Sequence, residues 1–164
     1  VTVARAAALA FVLLAAGVTC SRAWTPTLRT DVEPLARRLE LPPTGLRQVR
    51  WVAAPEHEPD GCASVPEPDA RTFLYAALEL DDAAWATVVP PGVDGARGSV
   101  DVPKKVADVV LPALPDVVRR SDRTIVHGAN LDRLLHAKVA GVDVRGAVRV
   151  GSWLVVTLLV GRPG

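Results

Sequence analysis

Three side chains late in the chain are of the types that move protons: His127, Asp132 and His136. A helix beginning at Asn130 would set Asp132 and His136 four residues apart on one face. A carboxylate that orients an imidazole makes it a general base, and hydrolysis is the chemistry such a pair serves. The nucleophile is missing. No Gly-x-Ser-x-Gly elbow occurs, and Ser99, Ser121 and Ser152 fall in turn-like stretches. An exposed pair at i, i+4 spacing accounts for the same residues, so a small hydrolase is the alternative expectation and not the first.

A second crowd lies in residues 55–70, where Glu56, His57, Glu58, Asp60 and Cys62 stand close together. His57 and Cys62 would be the donors to a metal. Zinc sites need further Cys or His ligands, and calcium loops need carboxylates at alternate positions before a glycine; the segment has neither. Four prolines and five acids, with no Lys or Arg, make it an acidic surface loop. Gly92, Gly95 and Gly98 follow no expected strand and precede no Lys-Ser or Lys-Thr, so they are not a phosphate cradle. Arg119, Arg120 and Arg123 read as a basic helix end. No cofactor is implied, and no small-molecule ligand is evident.

The elements that must carry these residues are short. Thr30 or Asp31 caps a helix running to Arg38, with Leu35 and Leu39 on one face. Leu41-Pro42-Pro43-Thr44-Gly45 stops it. Residues 47–54 alternate as a strand, with Val49 and Trp51 on one face and Arg50 and Val52 on the other. Residues 72–80 form a second strand, and Asp81 or Asp82 then caps a helix to Val88. A single helix over 72–89 competes, because no Gly or Pro interrupts it. Residues 92–102 read as a loop, and Pro103 opens a helix carrying Val106, Val109, Val110 and Leu111. A turn or short helix covers 116–120, and Asn130 caps a helix over 131–137. Residues 142–150 and 153–160 form a hairpin about Gly151-Ser152, with Val142, Val144, Val148 and Val150 on one face and a bulge allowed at Gly146. The last strand is apolar on both faces and belongs in the middle of a sheet. The expected fold is α+β: a small, mainly antiparallel sheet of about four strands with three or four short helices.

The N-terminus carries a separate signal. Arg5 precedes thirteen uncharged, mostly apolar residues, 6–18. That length suits a secretory signal or anchor helix and falls short of the roughly 20 residues of a membrane-spanning helix. Two processing routes stay open. Ser21 and Ala23 place small residues for cleavage before Trp24. Alternatively, Ala16-Gly17-Val18-Thr19-Cys20 resembles a bacterial lipobox, which would make Cys20 the lipid-bearing residue. Either route leaves Cys62 without a disulfide partner. The expected organisation is an export segment over 1–23 and one domain over 24–164.

Composition narrows the function classes. Arg outnumbers Lys sixteen to three, with one Ile, one Asn and no Met, as in a GC-rich bacterial gene whose Val1 is a GTG start. Removing Arg5 and Arg22 with the export segment leaves 17 basic (19 less 2) and 18 acidic side chains. Those charges alternate along the chain, which excludes the basic stripe of a nucleic-acid binder. Aromatic residues are only 4%, so Val, Leu and Ala must build the core around Trp51, Trp85 and Trp153. Trp24 and Trp51 could instead anchor a partner. The reading is an exported, secreted or lipid-anchored, non-enzymatic protein of the bacterial envelope that binds or supports another envelope protein. It touches the membrane only through its N-terminal segment or lipid.

Overall fold

The computed structural model describes residues 24–56, 71–90 and 95–161. In chain order these form α1 (Glu33–Ala36), β1 (Leu46–Pro55), β2 (Thr72–Leu80), α2 (Asp82–Val88), β3 (Arg97–Pro103), α3 (Lys104–Val110), β4 (Val117–Arg119), β5 (Arg123–Asn130), β6 (Val142–Val150) and β7 (Trp153–Val160). All seven strands join one sheet, every pairing is antiparallel, and the order is β1-β2-β7-β6-β5-β3 with β4 beside β5. This corrects the expected four-strand α+β domain: the described residues are mostly sheet, with three short helices among them. The extra strands are β3, β4 and β5. β3 and β5 each bury one narrow row, Val100 and Val102 or Thr124 and Val126, and the intervening Gly, Asp, Ser and His hide the alternation; β4 is three residues long and none of them is fully buried.

The strongest apolar run forms the centre. β7 pairs with β2 on one side and with β6 on the other. Leu154, Val156 and Leu158 of β7 enter one core with Trp51, Leu78 and Trp85, covered by Leu35, Leu39 and the turn at Leu131–Leu135. Val155 faces the second core, with Val52, Tyr75, Val126 and Val148. Residues 72–88 split into strand and helix, as the Asp81 cap predicts: its carboxylate accepts a 2.9 Å hydrogen bond from the Ala84 N–H.

The second core is closed by α3, which packs against β1, β2, β3 and β5, and by β3, which also lies against β6 and β7. Arg50 locks this layer in place. Its guanidinium donates to the last carbonyls of α3, those of Val110 at 3.0 Å and Val109 at 2.8 Å. Those carbonyls have no partner within the helix, and the negative end of the dipole favours the cation.

The allowed bulge is present. The register of β6 against β7 shifts between Val144 and Gly146. One extra residue reverses the side-chain alternation. Val142 and Val144 therefore serve the first core, Val148 and Val150 serve the second, and the single valine face expected along β6 is split.

The helix expected over 131–137 is absent, and the turn or short helix expected over 116–120 is replaced by a strand. Residues 117–119 are β4, entered through Asp116 at φ 57°. Residues 131–137 make a turn, because the Asn130 side chain accepts from the Asp132 N–H two residues on. The chain after it then pairs in extended form with residues 38–40: Glu40 N–H donates to His136 O, and Lys138 N–H donates to Arg38 O. α1 is one turn, with Val32 at its cap position in place of Thr30 or Asp31.

Candidate functional site

The residues singled out in the sequence do not converge. Asp132 is held by structure: its carboxylate accepts a 2.6 Å hydrogen bond from the Ala147 N–H on β6. His136 is exposed four residues on, and no hydrogen bond or ion pair joins the two among the described residues. His127 sits on β5, opposite Ser99 of β3, and its backbone N–H donates to Asp116 O at 3.1 Å. Cys20, His57 and Cys62 lie outside the described residues, as does the N-terminal export segment. Among the described residues, no group of three or more His, Cys, Asp or Glu is placed to hold a metal, and no helix is long and apolar enough to cross a membrane.

A different set of residues meets at the open end of the second core. Register aligns Tyr75 on β2 with Thr157 on β7, and Thr157 with Gly146 on β6. The missing side chain at Gly146 leaves this row open on one side; a Cβ there would come within 3.3 Å of Val100 on β3. The result is a cleft of about 400 Å³ between the central strands and the β3–α3 layer. That size falls in the ordinary range for small-ligand sites, roughly 300–1,000 Å³. Phe73 and Tyr75 form its aromatic floor, their rings 5.9 Å apart and inclined by 29°, and Trp24 contributes to the wall.

The rim is charged. Lys105, Arg123 and Arg145 face Glu56 and Asp101 around the opening, a formal excess of one positive charge at neutral pH. Arg123 pairs with Asp101 at 3.1 Å. Arg145, the bulge residue, reaches only to 3.8 Å from Asp143, too far for a hydrogen bond. Tyr75 is buried, and burial pushes its phenol above the ordinary range; Arg123 draws it down and Asp101 pushes it up. Thr157 is the polar residue in the apolar run of β7, and its buried hydroxyl has no hydrogen-bond partner.

The arrangement sets two guanidinium groups and a phenol around an aromatic surface. It is suited to holding a ligand. No spacing rule could have found it, because its residues come from β1, β2, β3, α3, β5, β6 and β7. Two local signs were readable: one threonine inside Trp153–Val160, and the Gly146 bulge with Arg145 beside it. Comparison with models of protein families, with curated proteins and with solved structures gives no match.

Proposed function

We propose that residues 24–161 form a non-enzymatic binding domain of an exported envelope protein, and that the cleft above Tyr75 and Thr157 is where it binds. The cleft itself carries this reading: about 400 Å³ between two layers, floored by Phe73 and Tyr75 and rimmed by Lys105, Arg123 and Arg145 with Glu56 and Asp101. Export rests on the sequence, through Arg5, the apolar run at 6–18 and the small residues before Trp24.

Two measurements test the two halves. For export, the intact mass of the protein is taken from membrane, medium and cytosol of its host. A lipid-modified Cys20 in membranes, or a chain starting at Trp24 in the medium, supports it; unprocessed chain confined to the cytosol overturns it. For binding, a fragment library is screened by amide chemical shifts. Saturable shifts clustered at Tyr75, Gly146 and Thr157 support the cleft. Shifts clustered elsewhere overturn it.

A further inference from the structure

We infer that the partner of this domain is an extended polypeptide segment, taken up as an added antiparallel strand along the outer edge of β3, where that edge borders the cleft. The inference rests on the binding reading above and names the partner class.

The alternation of the ladder decides which backbone groups of β3 are open. In an antiparallel pair, only every second residue of a strand bonds to a given neighbour. On β5 the odd-numbered residues bond towards β4: Arg120 N–H donates to Arg123 O at 2.7 Å, and His127 N–H donates to Asp116 O at 3.1 Å. The even-numbered residues therefore bond towards β3, in line with the 2.7 Å bond from Asn130 N–H to Ala96 O. Register then assigns Gly98, Val100 and Val102 to β5. The N–H and C=O groups of Arg97, Ser99 and Asp101 point the other way. β3 ends the strand order on that side, and among the described residues no strand or bridge pairs with them.

These open groups recur every second residue, roughly 6.8 Å apart along a strand. A partner that satisfies more than one of them must repeat donor and acceptor at the same spacing, as an extended backbone does. The cleft lies on this edge: Ser99, Val100 and Asp101 line it consecutively, and Ser99 and Asp101 are exposed. Side chains of an added strand alternate. Those opposite Gly98 and Val100 turn towards the cleft, and those opposite Arg97, Ser99 and Asp101 turn to solvent. Charge fixes one position. Asp101 is already paired with Arg123 at 3.1 Å, whereas Arg97 is exposed and forms no ion pair among the described residues. The complementary residue opposite Arg97 is an acid. Arg97 and Asp101 also keep the edge charged, which restricts it to strands that match.

The test titrates the full protein with the capped peptide acetyl-Thr-Val-Thr-Val-Glu-amide, following the Ser99 and Asp101 amides by NMR. In antiparallel register the middle threonine of the peptide faces Ser99 and its glutamate faces Arg97. Saturable shifts and slowed hydrogen exchange at both amides are expected. Methylating the nitrogen of the middle threonine removes a bond to Ser99 O and should weaken binding about fivefold to tenfold. Methylating the nitrogen of the first valine, which points away from β3, should weaken it less than about twofold. Ser99→Pro should weaken the unmodified peptide about fivefold to tenfold, read at Asp101, with unfolding as cooperative as in the parent, because the lost N–H lies outside the β5 ladder. Arg97→Gln should remove the preference for the glutamate peptide over its glutamine counterpart. Equal effects of the two methylations would overturn strand addition and leave the binding reading standing. Shifts at Ser99 and Asp101 that grow with protein concentration alone would overturn the partner in favour of a second copy of the chain. A glutamate preference that survives Arg97→Gln would overturn the register. Absence of saturable shifts with the peptide would overturn this inference, while the fragment screen separately decides the broader one.

Discussion

The carboxylate of Asp132 accepts a 2.6 Å hydrogen bond from the backbone N–H of Ala147. The bond ties the turn after β5 to β6 just past the bulge, and the Leu131 N–H donates to Ala147 O beside it. Asp132 is therefore a fastener. Asp132→Ala should lower stability by about 1–2 kcal/mol, the loss of one charge-assisted bond. His136→Ala should change it by less than about 0.5 kcal/mol, as for an exposed side chain. Urea denaturation of both variants checks the contrast; equal effects would mean that the two residues work together after all.

Arg50 makes the comparable link for the second layer. Losing both of its bonds to the end of α3 should cost about 2 kcal/mol in Arg50→Ala. Arg50→Lys should recover less than half, because an ammonium cannot direct two donors in a fixed plane. Hydrogen exchange should then show faster opening of residues 104–110 with little change in β7.

Tyr75 is the one tyrosine in the chain, so phenolate absorbance reads it alone. Burial holds it neutral beyond its ordinary value of 10.0. A raised folded pKa contributes stability fully below the unfolded value, and that contribution disappears as pH rises through the folded one. Melting temperature should therefore fall above about pH 10 in the parent and fall less steeply in Tyr75→Phe. A Tyr75 titration at or below 10 in the folded protein would contradict the burial.

Thr124 and Thr157 each bury a hydroxyl that has no hydrogen-bond partner. Thr124→Val and Thr157→Val should each raise stability by about 1 kcal/mol, since a methyl group needs no partner. Melting temperature should rise by a few degrees.

The sequence made half of this architecture legible. Strands β1, β2, β6 and β7 announce themselves through long alternating or doubly apolar runs, and Asp81 and Pro103 mark where α2 and α3 begin. The other half depends on partners far along the chain. β5 reads Arg-Thr-Ile-Val-His-Gly-Ala-Asn, and only Thr124 and Val126 are buried in it. Such a segment becomes a strand because β3 and β4 flank it, a fact no local window contains. Asn130 shows the converse: it is a good cap whose helix loses to the pairing of Leu39 with Ala137. The cleft was illegible for the same reason. Arg145, Arg123 and Thr157 come to line one cleft only through the strand order.

β1 is the outermost strand on its side of the sheet, and its free backbone groups would pair with any extended chain that met them. The protein's own N-terminal segment occupies part of that row: Arg29 exchanges backbone hydrogen bonds with Trp51, at 2.8 and 2.9 Å, and its guanidinium lies 4.9 Å over the indole ring. Residues 24–31 thus serve as a guard strand as well as a lead-in to the fold. Trimming past Arg29 would uncover β1 at Trp51 and open those backbone groups to edge-to-edge association.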